Sequence, residues 1–317
     1  MSALILFAGA LAGSFILIRK FVSGKRCKSK KELHGKTVII TGSNTGIGRE
    51  AAVDLARRGA RVILACRSVV RAEAALAIVK RESRSNNVVF MQLDLASQKS
   101  IRSFAETFLK TEKRLDILIN NAGVFMQGTT EDDLGLMFGV NHIGHFLLTN
   151  LLLDKLKECG PSRVVTVSSL CHEFGNLDFK LLTAHKEFGK GNSLIDAFKI
   201  YSNSKLCNVL FTHELAKRLQ GTQVTCYSLH PGAINSEFSR NVQPWLKMLM
   251  KLVGALLFKD VESGTQTTLY CALQEGIESL SGRYFSNCGL KEVWPKAKDD
   301  AVAKKLWEVS EKLCGLP

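Results

Sequence analysis

The chain has 317 residues, of which 46% are hydrophobic and 23% are charged. These values are ordinary for a globular protein, so a buried core is expected and a wholly disordered chain is excluded. The formal net charge is +14. Such an excess suits either a nucleic acid or an anionic membrane surface, and the position of the charges decides between them.

The amino-terminal region joins an apolar segment to a basic one. Residues 3–18 are all apolar or small, and residues 19–36 carry eight Lys or Arg side chains against one Glu. Sixteen helical residues rise about 24 Å, and Phe21 and Val22 extend them toward the ~30 Å of a bilayer core. The sequence therefore predicts a membrane anchor over 1–22, a basic linker over 23–35, and no nucleic-acid partner.

A cleaved signal peptide is the alternative for this region, and it would give a secreted protein. Against it, the first two residues carry no Lys or Arg, and the sequence between Ile18 and Lys36 has no small-x-small cleavage site before the charges. The nine cysteines include no C-x-x-C pair, and the chain has no Asn-x-Ser/Thr sequon. This pattern favours reduced thiols on the cytosolic side of a membrane, with no metal site.

From Lys36 onward, short apolar runs alternate with longer helical patterns. The apolar runs are 37–40, 61–65, 88–93, 115–119, 163–167 and 224–229, and the helical stretches are 46–58, 69–82, 97–110, 132–157 and 195–219. Runs that are apolar on both faces are typical of parallel strands covered by helices. We expect an α/β fold with a doubly wound, mostly parallel sheet of the Rossmann type, in a single domain over 36–317.

The first predicted strand runs into a glycine-rich turn, TGSNTGIG, at residues 41–48. Gly42 permits a tight turn, while Gly46 and Gly48 let a helix amino terminus approach a pyrophosphate closely. The spacing departs from G-x-G-x-x-G, and a glycine-rich turn without a ligand is the alternative. The predicted cofactor-binding residues of this turn are Gly42, Ser43, Asn44, Thr45, Gly46, Ile47 and Gly48.

A tyrosine and a lysine lie four residues apart after the fifth predicted strand. On a helix, Tyr201 and Lys205 share one face. A free tyrosine has a pKa of about 10, and a nearby ammonium group is expected to lower it. Tyr201 can then donate a proton to a carbonyl oxygen or remove one from an alcohol. The pair is common by chance, so its place in the strand order carries the prediction.

Four motifs in this order resemble the short-chain dehydrogenase/reductase family over about residues 36–290. They are TGSNTGIG at 41–48, NNAG at 120–123, YSNSK at 201–205 and HPG at 230–232. Within that family the chain is similar to the membrane-anchored retinol dehydrogenase group, through ACRS at 65–68 and VNHIGHFLLT at 140–149. The stretch 269–288 resembles the branch of dehydrogenase/reductase member 13-like proteins.

The resemblance implies further catalytic residues. Ser169, with Ser168 as the alternative, would bind the substrate and polarise its oxygen. Asn141, predicted to lie in a long helix, would hold a water molecule in a proton relay. Lys205 would also bond the nicotinamide ribose. His142 and His145 are expected to be core or surface histidines.

The resemblance also implies cofactor contacts beyond the glycine-rich turn. Asp94 would meet the adenine edge, although a helix cap is its alternative role, and Asn121 would lie on the adenosine side. Pro231 and Ser236 belong to a loop that would contact the nicotinamide amide, with Ser236 in place of the usual Thr.

The end of the second predicted strand discriminates between the two dinucleotides. Binders of NAD place Asp or Glu there to bond the ribose 2′-hydroxyl. This chain has Ala-Cys-Arg-Ser at 65–68, and Arg67 offers a planar cation suited to a 2′-phosphate. The predicted cofactor is therefore NADP(H).

Together these observations predict an enzyme that interconverts a lipophilic alcohol and its aldehyde or ketone, such as retinol and retinal. Segments 170–200 and 235–262 are expected to form the substrate side, and the protein is expected at the endoplasmic reticulum membrane with a cytosolic domain. The competing hypothesis is a non-catalytic, membrane-tethered dinucleotide-binding or scaffold protein. The oligomeric state stays open.

Overall fold

The computed structural model describes residues 19–179, 193–234 and 258–317. The strands are β1 (Thr37–Thr41), β2 (Arg61–Cys66), β3 (Val88–Gln92), β4 (Ile117–Asn120), β5 (Ser162–Val167), β6 (Val224–His230), β7 (Tyr284–Ser286) and β8 (Gly289–Leu290). The helices are α1 (Gly46–Arg57), α2 (Val69–Ser83), α3 (Gln98–Thr111), α4 (Leu136–Glu158), α5 (Leu194–Arg218), α6 (Val261–Leu273) and α7 (Asp300–Cys314).

One eight-stranded sheet organises the molecule, in the order β3-β2-β1-β4-β5-β6-β7-β8. Among the described strands, the pairings from β3 to β7 are parallel, and β8 pairs antiparallel with β7. The predicted doubly wound, mostly parallel sheet is thereby confirmed. The chain reverses its direction of winding between β1 and β4, and ligands of such sheets bind beside the carboxyl ends of the strands at that point.

The helices cover both faces of the sheet, which is why the strands are apolar on both sides. In β1, Ile39 packs into the core beneath α3, α4, α5 and α7, whereas Val38 and Ile40 pack into the core beneath α1, α2 and α6. All five residues of β1 are buried. Every second residue of a strand faces the same side, so this burial requires apolar residues throughout.

Helix α4 differs from its predicted form in two ways. It begins at Leu136 rather than at 132, and residues Gly139–Ile143 form a π-helical turn inside it. Such turns widen the helix locally and often mark functional sites. The elements after 230, namely α6, β7, β8 and α7, were not predicted.

Helix α4 is the one helix in the described residues that is long and apolar enough to cross a membrane. Its most apolar window is 78% buried inside the domain, as expected of a core helix. The predicted anchor over 1–22 lies outside the described residues up to Ile18, and residues 19–23 are helical.

The predicted basic linker packs on the domain along α6. Arg26 forms an ion pair with Glu262 at 2.7 Å, and the amide of Cys27 donates to Gln266 Oε1 at 3.0 Å. The Ser29 hydroxyl donates to a carbonyl oxygen at the end of the same helix. Residues 19–31, which we call the strap, are therefore held against the fold.

Candidate active site

The glycine-rich turn forms a close cradle between β1 and α1. Gly42 has φ +64°, a conformation that favours glycine. A Cβ on Gly48 would lie 2.5 Å from the Asn121 amide nitrogen and 2.7 Å from the Gly42 carbonyl oxygen. Within the described chain, no side chain caps the amino terminus of α1, where Thr45 is the N-cap residue. The free backbone amides of this helix terminus and the shape of the glycine-rich turn thus fit a pyrophosphate.

Not every side chain of the turn faces this cradle. The buried Ser43 hydroxyl donates to the Ile40 carbonyl oxygen at 2.9 Å. Ile47 packs toward α6, where a Cβ on Gly264 would meet its Cγ2 at 3.4 Å. Asn44 and Thr45 are partly exposed. The turn therefore offers a ligand mainly backbone amides and these two partly exposed side chains.

Asn121 ties the end of β4 to the end of β1. Its side-chain amide donates to the Thr41 carbonyl oxygen at 2.8 Å. The Thr41 hydroxyl accepts from the amides of Asn121 and Ala122, both at 2.9 Å, and lies 2.8 Å from His145 Nε2. With two N–H groups on its oxygen, the hydroxyl donates to His145. Asn121 and His145 thereby hold the loop below the cradle.

Arg67 and Asp94 meet at the adenosine end of the predicted cofactor site. Arg67 follows β2 with 59% of its side chain exposed, and its Nε lies 3.9 Å from an Asp94 carboxylate oxygen. The other carboxylate oxygen of Asp94 accepts from the amide of Ala96 at 2.9 Å. Ser97, not Asp94, caps α3, so the alternative role for Asp94 as a helix cap is wrong. Arg67 remains available to an anion.

Tyr201 and Lys205 lie on one face of α5, under the carboxyl ends of β4 and β5. Both are buried, and Lys205 Nζ lies 5.7 Å from the centre of the Tyr201 ring. The ammonium group donates to the Val167 carbonyl oxygen at 3.1 Å. Phe125 packs its ring edge-on against Tyr201, with 5.4 Å between the ring centres. The tyrosine is thus fixed between an apolar ring and a cation.

Burial dominates the protonation of both groups. It raises the pKa of Tyr201, and a hydrogen bond with Ser169 only partly offsets this. Burial lowers the pKa of Lys205 to about 8. The expectation of a lowered tyrosine pKa is therefore wrong for the protein without a cofactor, because desolvation is the largest effect on the phenol.

The two serines after β5 point to different partners. Ser169 is hydrogen-bonded to Tyr201, and its hydroxyl also accepts from the amide of Cys171 at 3.2 Å. The Ser168 hydroxyl donates instead to the Lys205 carbonyl oxygen at 2.7 Å. Ser169 is thus the serine at the tyrosine, and Ser168 fastens the strand to α5.

Asn141 lies in the π-helical turn of α4 and is fully buried. Its side chain accepts from the Val124 amide at 2.8 Å and donates to the Val124 carbonyl oxygen at 3.0 Å. A Cβ on Gly123 would lie 3.2 Å from Lys205 Nζ and 3.6 Å from Asn141 Oδ1. The loop after β4 therefore brings the asparagine and the lysine together.

Both histidines that flank Asn141 are core residues, as expected. Burial lowers the pKa of His142 to about 3 and that of His145 to about 4, so both are neutral near pH 7. The Nδ1 atom of His145 lies 3.1 Å from the Asn141 carbonyl oxygen. Since its Nε2 accepts from Thr41, Nδ1 carries the proton and donates to that carbonyl.

The loop after β6 approaches the same site. Gly232 has φ +95°, and its amide donates to His230 Nδ1 at 3.1 Å. Pro231 is partly exposed beside it. Ser236, also predicted to contact the cofactor, lies outside the described residues. The same holds for 180–192 and 235–257 within the predicted substrate side.

The described part of the substrate side exposes apolar side chains next to the reactive residues. Leu170 and Phe174 follow Ser169 in a 3₁₀ helix, and Phe174 is 66% exposed. Leu194 and Ile195, both about two-thirds exposed, lie two turns before Tyr201 on α5. We call these four exposed side chains, Leu170, Phe174, Leu194 and Ile195, the apolar rim, and such a surface suits a lipophilic ligand.

Sequence reasoning missed two residues near Ser169, His172 and Tyr284. Both are buried and both lie within hydrogen-bond distance of the Ser169 carbonyl oxygen. They are 112 residues apart in sequence, so no local pattern joins them.

A glycine cradle at the switch point of a doubly wound sheet, beside a Tyr–Lys–Ser–Asn cluster, defines a dinucleotide-dependent oxidoreductase. A family model described as short chain dehydrogenase matches residues 36–192. The chain belongs to the short-chain dehydrogenase/reductase family, whose members bind a nicotinamide dinucleotide.

Particular relatives narrow this placement. Dehydrogenase/reductase SDR family member 13 of Bos taurus is 52% identical over 318 residues, which cover 100% of this chain and 83% of that protein. Human retinol dehydrogenase 12 is 48% identical over 301 residues, covering 94% of this chain and 92% of that protein. The predicted resemblance to the retinol dehydrogenase group is confirmed.

A solved structure agrees with the fold over nearly the whole chain. It is an uncharacterized protein from Mycobacterium paratuberculosis, with a TM-score of 0.72 and 32% identity. The match covers 92% of this chain and 98% of that one.

The buried ammonium group of Lys205 gives a prediction about stability. Its pKa of about 8 in the fold lies below the 10.5 of a free lysine. The unfolded chain therefore binds more protons between these values, and wild-type stability rises with pH across that window. At pH 7 the variant Lys205→Met should raise the free energy of unfolding by about 1–3 kcal/mol while activity is lost.

Thermal and urea unfolding between pH 7 and 10.5 measure this difference. The gain should shrink as the pH rises above about 8. The surface variant Lys110→Met is the control, since Lys110 is 70% exposed and should show no such trend. A Lys205→Met protein less stable than wild type throughout would contradict the argument.

Proposed function

We propose that this protein is an NADP(H)-dependent oxidoreductase that interconverts a lipophilic alcohol and its aldehyde or ketone, with retinol and retinal as the leading pair. The observation that carries the proposal is the meeting of Tyr201, Lys205, Ser169 and Asn141 beside the glycine cradle. The names of the relatives, several of them retinol dehydrogenases, support the substrate pair.

Each side chain then has a defined task. A bound nicotinamide supplies or accepts the hydride. Ser169 donates a hydrogen bond to the substrate oxygen, and Tyr201 transfers the proton to or from that oxygen. Lys205 keeps a positive charge near the phenol, which eases loss of its proton. The buried Asn141 holds the loop after β4, which lies next to the Lys205 ammonium group.

The raised pKa of Tyr201 has a consequence for this task. A phenol with a high pKa holds its proton, which suits donation to a carbonyl oxygen in the reductive direction. Oxidation of an alcohol needs the phenolate, and the positive charge of an oxidised nicotinamide would stabilise it. Cofactor binding and proton transfer are therefore coupled at Tyr201.

The preference for NADP(H) rests on Arg67. The end of β2 carries no carboxylate for a 2′-hydroxyl, and the guanidinium group is more than half exposed. A planar guanidinium group pairs well with a phosphate. Its neighbour Asp94, 3.9 Å away, would then orient it.

The membrane proposal joins the apolar segment 3–18 to the strap. The strap begins at Arg19, whose guanidinium group donates to the Phe258 carbonyl oxygen at 2.6 Å. Residue 259 pairs with Ile234, which follows the carboxyl end of β6. Arg19, the first described residue after the segment 3–18, therefore lies near the edge of the sheet that holds the active site. We propose an anchor in the endoplasmic reticulum membrane, with the apolar rim facing the bilayer and the domain cytosolic.

Replacement of the proton donor tests the activity. Tyr201→Phe should lower kcat for NADPH-dependent reduction of all-trans-retinal by about 1,000-fold, because general acid catalysis is lost. The assay follows cofactor oxidation by the membrane-bound full chain. Tyr270→Phe, on α6 and away from the site, should keep wild-type activity.

Two results would count against the proposal. Equal activity of wild type and Tyr201→Phe would reject the mechanism. A wild-type protein that binds NADPH but turns over no retinal, steroid or medium-chain aldehyde would support the competing role as a binding or scaffold protein.

Exchange of Arg67 tests the cofactor. Arg67→Ala removes charge-assisted hydrogen bonds worth about 1.5–3 kcal/mol, so Kd for NADPH should rise about 10- to 100-fold. The Kd for NADH should change little. Arg81→Ala, on the exposed face of α2, is the matched control. Equal weakening of both dinucleotides would contradict recognition of the 2′-phosphate.

Charges placed in the apolar segment test the anchor. Leu6→Arg with Leu11→Arg places two cations, each costing about 2.5–3.5 kcal/mol at a bilayer centre. Wild type should stay in the membrane after an alkaline carbonate wash, and the variant should be released. Protease added to intact microsomes should digest the wild-type domain. Protection, or loss of an amino-terminal tag, would favour a cleaved signal peptide.

A further inference from the structure

The mechanism leaves the buried residue His172 without a task. It lies in the 3₁₀ helix that follows Ser169, with 1% of its surface exposed. Its Nδ1 atom lies 2.7 Å from the Ser169 carbonyl oxygen. Two lone pairs cannot face each other at that distance, so Nδ1 carries the proton and donates to this oxygen.

Tyr284, the first residue of β7, reaches the same carbonyl oxygen. Its hydroxyl lies 3.4 Å from the Ser169 oxygen and 3.2 Å from His172 Nδ1. Since Nδ1 carries a proton, the hydroxyl proton turns to the carbonyl. The tyrosine ring packs against the imidazole with 4.7 Å between centres. One carbonyl oxygen is thus held by two side-chain donors.

The ring of Tyr284 also continues the contact toward the loop after β6. It stacks on His230, with 5.9 Å between ring centres and 25° between planes. His230 in turn accepts the amide of Gly232 at 3.1 Å. A continuous chain of contacts therefore runs from Ser169, through three rings, to the loop predicted to meet the nicotinamide.

One polar atom in this series of contacts lowers the stability of the fold, and packing alone does not explain its presence. His172 Nε2 is buried and has no hydrogen-bond partner among the residues that the structure describes. An unpaired buried polar atom destabilises a fold, and a leucine or phenylalanine would fill the space without that cost. The benefit that offsets this cost is the hydrogen bond from Nδ1 to the Ser169 carbonyl oxygen.

We propose that His172 and Tyr284 are positioning residues, which fix the Ser169 hydroxyl toward Tyr201 and set its distance from the loop at Gly232. The inference rests on the proposed oxidoreductase function. The carbonyl of Ser169 belongs to the residue whose hydroxyl meets the substrate, so rotation of that residue moves the hydroxyl away. A displacement of 1 Å in such a site can lower the rate about 100-fold.

Paired substitutions at His172 test the donor itself. His172→Leu should lower kcat about 10- to 100-fold and leave Kd for NADPH unchanged, because the Ser169 hydroxyl is displaced while the glycine cradle keeps its own contacts. In His172→Asn the side-chain amide can take the place of Nδ1–H, so kcat should recover to within a few-fold of wild type. Tyr284→Phe removes the weaker donor and should lower kcat by less than His172→Leu.

A purely structural role predicts a different pattern. In that case kcat per NADPH-binding site would be unchanged in His172→Leu, and only the melting temperature would fall. NADPH fluorescence titration supplies the count of folded sites. Failure of His172→Asn to recover activity while it folds and binds NADPH would overturn the proposal.

The pH profile separates positioning from proton transfer. The groups that face His172 are Glu173, Lys291, Lys296, Tyr284 and His230. Burial lowers the pKa of His172, so it stays neutral near pH 7. The pH dependence of kcat in His172→Asn should therefore match that of wild type. A displaced acidic limb would make His172 a proton carrier and overturn the positioning role.

A measurement without turnover separates this inference from the proposed function. Side-chain ¹⁵N–¹H spectra of the full chain in detergent, with ¹⁵N-labelled histidine, report the tautomer of each ring. His172 should be neutral with its proton on Nδ1 at pH 7. A proton on Nε2 or a charged ring would overturn the contact, whatever the activity. Retention of the tautomer in an inactive wild type would instead reject only the proposed reaction.

Discussion

The burial of an amine and a phenol side by side constrains the rest of the site. Lys205 and Tyr201 are both almost without solvent contact, and desolvation acts on them in opposite directions. It favours the neutral amine and the neutral phenol. The phenolate that alcohol oxidation needs is therefore not reached by the phenol alone, and the ammonium group of Lys205, whose pKa falls to about 8, depends on surrounding dipoles.

The fold meets this demand with backbone groups more than with side-chain charges. The ammonium group of Lys205 lies on the Val167 carbonyl at the end of β5. Asn141 fixes the loop after β4 through both polar atoms of its amide. The π-helical turn around Asn141 brings that amide to the loop. The carboxyl ends of the parallel strands thus supply carbonyl dipoles, and the helices supply the side chains that hydrogen-bond near them.

The sequence predicts the parts of this site that have a local signal. The glycine-rich turn, the Tyr201–Lys205 spacing and the strand order suffice to place the cradle and the helix pair. The motif favours Ser169 over Ser168, and in the structure Ser169 is the serine hydrogen-bonded to Tyr201. Each of these inferences depends on residues close in sequence, or on strands whose apolar character is plain.

The features of the site that the sequence does not predict depend on contacts between distant residues or on burial. The π-helical turn depends on which carbonyl each amide selects, and residue types do not reveal that choice. His172 and Tyr284 meet only because β7 is added to the sheet beside β6. The direction of the Tyr201 pKa shift is hidden from the sequence, which shows the nearby Lys205 but not the burial that dominates the shift.

The packing of the strap against the domain is also not predicted by its sequence. Its Lys and Arg residues have the composition of a solvated linker, yet Arg19, Arg26 and Lys31 pair with acidic residues in or beside α6. Isolated surface pairs add little stability, so the neighbouring backbone hydrogen bonds must hold the strap as well.

Lys259 connects this strap to the active site. A Cβ on Gly24 would lie 2.9 Å from its Nζ, and a Cβ on Gly232 would lie 3.0 Å from its Cδ. The strap and the loop predicted to meet the nicotinamide therefore pack against one side chain. Glycine at both positions allows that approach. The orientation of the site relative to the strap is thus set by short contacts, which a flexible tether of the same length would not provide.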